Sequence, residues 1–105
     1  MYEIPLQAVP NQRFSVRLEG ALFDVTIKAA RTVVTATIVR DGITLVQGVR
    51  CLPGTALIPH RYLEDTAGNF MFLTDGDKYP DYTRFSTKDR LMYLTRTELD
   101  EVRNG

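Results

Sequence analysis

At 105 residues, with 44% apolar and 25% charged side chains, the chain has the size and composition of one globular domain, 1–105, able to bury a core without disulfides or a structural metal. Thirteen basic residues cancel thirteen acidic ones, which argues against specific binding to nucleic acid, because affinity for phosphates comes from surplus positive charge. The single cysteine excludes an internal disulfide, and neither a signal peptide nor a run near the ~20 apolar residues of a membrane helix is present, so a chain that begins at Met1, is made in the cytoplasm and has no membrane partner is expected.

Period-two alternation dominates Val16 to Val49 and predicts strands with one buried face. Phe14, Val16 and Leu18 share a face, Glu19-Gly20 turns the chain, and Phe23, Val25, Ile27 and Ala29 repeat the pattern as the second arm of a hairpin. Thr32–Arg40 is rich in β-branched residues and runs into Asp41-Gly42, the preferred dipeptide of a type I′ turn, after which Ile43-Thr44-Leu45-Val46 returns antiparallel. Gly48 in that return strand reads as a bulge, as a close backbone approach, or equally as the strand's end.

Pro53-Gly54 breaks the chain, and Ala56-Leu57-Ile58-Pro59 is a short extended edge, since the residue before proline is biased toward β geometry. Asp65–Asn69 is a turn cluster leading into Phe70-Met71-Phe72-Leu73-Thr74, an apolar run that predicts a strand buried on both faces at the centre of the core. Asp75-Gly76-Asp77 turns the chain again, Tyr79-Pro80-Asp81 begins an irregular aromatic loop, and Arg90–Leu94 is the last strand. Thr95-Arg96-Thr97-Glu98 has the spacing of a capping box, so a short helix follows, with Leu99 and Val102 as its apolar face and Asn104-Gly105 as its stop.

Catalytic and metal chemistry find little support. His60 is the only histidine, and Cys51 with His60 lacks the third group that would orient a nucleophilic pair, so Cys51 is expected as a buried thiol. Asp75-Gly76-Asp77 lacks the ligand ladder of a calcium loop, and the adjacent pairs Glu64-Asp65 and Asp100-Glu101 cannot face one site as acid and base. No catalytic, cofactor or metal residue is assigned. Seven of the ten aromatic residues fall between Tyr62 and Tyr93, interleaved with arginines and acids. That pattern suits a core and a protein-facing loop better than a platform for single-stranded nucleic acid. Residues 1–63 balance at +3 and 64–105 at −3, an asymmetry able to orient the domain between partners if folding preserves it.

In order along the chain, Tyr2-Glu3-Ile4-Pro5-Leu6, Pro10-Asn11-Gln12, Gly48-Val49-Arg50-Cys51, Leu57-Ile58-Pro59-His60-Arg61-Tyr62-Leu63, Gly68-Asn69-Phe70-Met71-Phe72, Pro80-Asp81-Tyr82-Thr83-Arg84-Phe85 and Leu91-Met92-Tyr93-Leu94 resemble the small baseplate plug proteins of contractile-tailed bacteriophages, of the cyanophage type. The resemblance implies a structural virion protein, not an enzyme, that helps close the distal end of the tail tube. It also implies baseplate hub, tail-tube initiator and spike proteins as partners, with the end of the tape-measure protein as a further one. Within that reading Tyr79, Tyr82, Arg84 and Phe85 are candidate interface residues, with core packing as the competing role. Tyr2, Ile4 and Leu6 form a terminal strand that pairs within the domain or onto a neighbour's sheet. The expected architecture is all-β, a small antiparallel barrel or sandwich of six to eight strands with one short C-terminal helix. The rival function is an OB-like barrel binding single strands.

Overall fold

The computed structural model describes residues 1–30, 33–76 and 78–104. The expected strand start at Thr32, the Asp77 end of the acidic turn and the Gly105 helix stop lie outside them. In chain order the elements are β1 (Tyr2–Ile4), β2 (Asn11–Leu18), β3 (Ala21–Ala30), β4 (Val33–Arg40), β5 (Ile43–Arg50), a single turn of helix α1 (Arg61–Glu64), β6 (Asn69–Leu73), a 3-10 turn (Tyr82–Arg84), β7 (Arg90–Leu94) and α2 (Arg96–Asn104).

The alternating segments form an antiparallel meander, β2-β3-β4-β5. Two of its turns have the left-handed geometry of type I′: φ is 51° and 78° at Glu19 and Gly20, and 51° and 85° at Asp41 and Gly42. These turns fix the registers Leu18↔Ala21 and Arg40↔Ile43, which send Phe23, Val25, Ile27, Val34, Ala36 and Ile38 inward. A one-residue slip would turn the whole set to water. Gly48, at φ 67°, sits in a bulge, where Val49 pairs with Ala36 but Val46 with Ile38, and its N–H donates to Thr37 Oγ1 at 3.0 Å.

The second sheet, β1-β7-β6, is built from the two ends of the sequence. β1 lies antiparallel to β7, with Tyr2 opposite Tyr93 and Ile4 opposite Leu91, so the terminal strand pairs within its own chain. The β6 run is not buried on both faces: Phe70 and Phe72 are buried, Met71 is half-buried and Leu73 exposed, because β6 edges a sheet whose outer face is only partly covered. The other side of β6 is guarded by the Pro53–Leu57 segment, whose Gly54 and Leu57 N–H groups donate to Phe72 O and Phe70 O at 2.9 and 2.8 Å.

The two sheets face each other across one hydrophobic cluster and are not closed into a barrel, so the sandwich-like form of the expectation holds. Phe23 of β3, Phe70 of β6 and Tyr93 of β7 meet at centroid distances of 5.0 to 5.8 Å and tie one sheet to the other. Burying each such ring contributes about 2–3 kcal/mol, and the favourable edge-on pairs about 0.5–1.5 more. The Tyr93 hydroxyl is satisfied at this depth, accepting from Gly68 N–H at 2.7 Å and donating to Glu19 Oε1 at 2.8 Å.

The capping box forms as its spacing predicts: Glu98 N–H donates to Thr95 Oγ1 at 3.2 Å and Thr95 N–H to Glu98 Oε1 at 3.0 Å. Only half of the helix's expected apolar face is used, since Leu99 is buried but Val102 is 73% exposed. What fastens α2 is instead an ion cluster. Glu64, fully buried at the end of α1, takes two hydrogen bonds from Arg103 at 2.7 and 2.8 Å, one from Arg96 at 3.1 Å and one from Asn69. Burial pushes its carboxyl pKa up, but the bonds from Arg103, Asn69 and Arg96 outweigh that and hold it below the usual carboxylate value.

Candidate functional site

The aromatic loop is built on a polar scaffold of its own. Asp81 is extended and caps the 3-10 turn, its Oδ1 accepting from Thr83 N–H at 2.9 Å and from the Thr83 hydroxyl at 2.8 Å. The Thr83 backbone bond, with the hydroxyl bond and the Arg84 charge behind it, holds the Asp81 carboxyl below the ordinary aspartate range. Downstream, the Arg84 carbonyl accepts from the N–H groups of Thr87, Lys88 and Asp89 at 3.0 to 3.1 Å, which folds Arg84–Asp89 into a compact knot.

Asp89 is the hub of that knot. It is fully buried, and its Oδ2 accepts from Asp81 N–H at 2.9 Å and from Arg84 Nε and Nη2 at 3.1 and 3.0 Å. Arg84 continues outward to the Tyr79 carbonyl at 3.0 Å and to Asp81 Oδ2 at 3.5 Å. One guanidinium therefore braces both arms of the loop. Asp89 Oδ1 has no donor among the described residues.

This bracing separates the candidate residues into two groups. Tyr79 is 53% exposed, with its ring under the Arg50 guanidinium at 5.0 Å, so a cation–π contact fixes its orientation without covering it. Tyr82 is half-buried against the core, and Arg84 is engaged within the loop. Phe85 points inward and stacks on Phe72 at 5.6 Å; Ile4 and Leu6 are likewise buried, while Tyr2 is 55% exposed at the rim. The terminal segment and the loop are brought together where Leu6 N–H donates to Ser86 Oγ at 2.8 Å. Asp89, Ser86 and Arg50 are parts of the site that reading the sequence did not single out; only the Arg84–Asp89 spacing of opposite charges hints at one of them.

Of the residues weighed for chemistry, Cys51 is buried and its thiol is pushed up to about 12 by desolvation, so at neutral pH it is a protonated, apolar-packed group. His60 is exposed and stacks on Tyr62 at 5.4 Å. No described helix is long and apolar enough to cross a membrane. Four of the clustered aromatics, Phe70, Phe72, Phe85 and Tyr93, are buried and so present no face on which bases could stack.

A protein-family model described as "Cyanophage baseplate Pam3 plug gp18" matches residues 1–97, nearly the whole chain. The chain belongs to this family of cyanophage baseplate plugs. No curated protein matches it. Membership places the plug in the tail baseplate of the virion as a structural component that associates with other baseplate and tail proteins. The seven strands and the aromatic loop fall within the matched span; α2 beyond its first two residues lies outside it.

Proposed function

We propose that this plug seats at the distal end of the tail tube, within the hub and above the spike, and closes the channel by shape until the tail fires. The observation that carries the reading is the braced loop in a chain of the plug family: Arg84 and buried Asp89 hold a segment rigid while it displays Tyr79 and the exposed Thr83. A rigid, preorganised aromatic display binds a neighbour without the entropy cost of ordering a loop. Tyr79, the exposed part of Tyr82 and Tyr2 are the contacts; Arg84, Phe85, Ile4 and Leu6 hold them in place from inside. The hub, tail-tube initiator and spike are the neighbours of such a seat, with the tape-measure terminus above it. The two sheets share one core, which supports reading all 105 residues as one folding unit.

The test uses Tyr79→Ala. The ring is half exposed, so the substitution is expected to change stability by no more than about 0.5–1 kcal/mol. Tail assembly with this variant is expected to yield baseplates depleted of the plug. Incorporation at the level of the unsubstituted chain would refute the loop as the seat. Arg84→Ala is a poorer probe, because it strips the buried Asp89 carboxylate of its partner and endangers the fold itself.

A further inference from the structure

An open sheet edge is either protected or used. Here β6 is covered by Pro53–Leu57, β1 is only three residues long, and β5 is broken by register shifts on either side of Ile38. β2 is different. Its eight residues pair one for one with β3, without a shift, and its other side meets no strand among the described residues.

The type I′ turn makes Leu18 and Ala21 a hydrogen-bonded pair, and bonding then alternates along the hairpin. The Ala29 N–H to Pro10 O bond of 2.7 Å has the same phase. The N–H and C=O groups of Asn11, Arg13, Ser15 and Arg17 consequently point away from β3, into the open edge.

Side chains beside that edge sort by face. On the inner face Phe14, Val16 and Leu18 touch the core but stay only half-buried, whereas Phe23 and Val25, their neighbours on β3, are fully buried. On the outer face Arg13 and Arg17 are exposed, and among the described residues no carboxylate lies within ion-pair distance of either. The carboxylate nearest to them in register, Asp24, is taken by the Ser15 hydroxyl.

We propose that the β2 edge docks an extended strand of a partner protein in which apolar and acidic residues alternate, extending the four-stranded sheet by one strand. The partner's backbone would satisfy the outward groups of β2, its apolar side chains would finish covering Phe14, Val16 and Leu18, and its carboxylates would meet Arg13 and Arg17. A second copy fits worse. Antiparallel pairing of β2 with itself about Ser15 keeps the apolar faces together but sets Arg13 opposite Arg17 twice, and like charges directly opposite destabilise a sheet. A nucleic-acid strand would pair neither the backbone edge nor the apolar stripe. This surface is distinct from the Tyr79–Phe85 loop and does not depend on the role proposed for it.

The full chain is titrated with a synthetic peptide of alternating valine and glutamate while amide exchange is followed residue by residue. Saturable binding that slows exchange at Asn11, Arg13, Ser15 and Arg17 is expected. Ser15→Pro deletes an outward N–H and the Ser15 hydroxyl's bond to Asp24 but leaves the backbone bonds to β3 in place, and should weaken binding at least about tenfold, since proline is tolerated on an edge strand only where its missing N–H faces outward. Arg13→Glu with Arg17→Glu changes only exposed side chains and should do the same, which keeps the test decisive if the proline variant folds poorly. The proposal is overturned if the peptide does not bind, or protects amides elsewhere. It is equally overturned if polyglutamate or single-stranded DNA protects the same amides as well as the peptide does, or if the chain alone protects them by dimerising.

Discussion

Replacing Glu64 by glutamine tests whether the buried ion cluster is what docks the C-terminal helix. The substitution keeps the shape and removes the charge. Arg103 then loses a two-pronged partner, Arg96 keeps Asp100 at 2.9 Å and the Ala67 carbonyl at 3.4 Å, and the new amide must aim a donor at a guanidinium. Removing one member of a fully buried ion pair costs about 3–5 kcal/mol. Here the arginine side chains are 20 and 25% exposed and water recovers part of the loss, so about 2–3 kcal/mol is expected at pH 7. In urea, with a slope of ~1–2 kcal/mol/M for a chain of this size, the midpoint should fall by about 1–3 M. The pH dependence supplies a second reading. The native carboxyl titrates below the ordinary 4.5, so its contribution is fully present above that value. As pH falls the unfolded chain takes up its proton first, and the contribution drains away until the native carboxyl is protonated as well. The gap between wild type and Glu64→Gln should therefore narrow as pH falls below 4.5. A variant within 0.5 kcal/mol of wild type at pH 7, or a gap that stays constant down to pH 3, would refute the cluster as the clamp.

Two further outcomes test the core. Gly68→Ala would set its Cβ 1.7 Å from the Leu94 carbonyl oxygen, a clash that only separation of β6 from β7 relieves, so a loss above ~3 kcal/mol or an insoluble product is expected. Gly48→Ala is the control: its Cβ meets nothing within 4 Å, and denaturation should show only the ~1–2 kcal/mol strain of its φ of 67°. Cys51 should react with a thiol-specific disulfide reagent at pH 8 far more slowly in the native chain than in the unfolded one, because the thiol is buried and its pKa is pushed up to about 12. Equal rates in the two states would place the thiol at the surface.

The hairpins could be read from sequence because everything that determines them is local. Asp41-Gly42 selects its own turn, the turn sets the register, and β-branched alternation on either side agrees with it. The capping box at Thr95–Glu98 is legible for the same reason, since both partners lie within one helical turn. Hydrophobicity was a poorer guide where burial depends on layers. Val102 is spaced correctly from Leu99, yet no described element is packed over it; Leu73 belongs to an apolar run, yet points out of a sheet whose outer face is only partly covered.

The polar joints were not legible, and distance along the chain explains why. Glu64 reads as half of an exposed acidic pair until Arg103, 39 residues later, is brought onto it; Glu19 reads as a turn residue until Tyr93 and Arg96, 74 and 77 residues later, donate to it. The first join closes across the β6–β7 pair and the second ties the β2–β3 turn of one sheet to β7 of the other and to α2, contacts that no local pattern encodes. The same logic bears on the loop. Arg84 is the residue type of a partner anchor, but Asp89 and the Tyr79 carbonyl already engage its donors, so in the proposed seat the contribution expected of it is rigidity. If so, Arg84→Lys, which keeps the charge but cannot reach two acceptors with one planar group, should weaken incorporation into tails while leaving net charge unchanged. An Arg84→Lys chain incorporated as efficiently as wild type would mean that charge alone is what the neighbour reads.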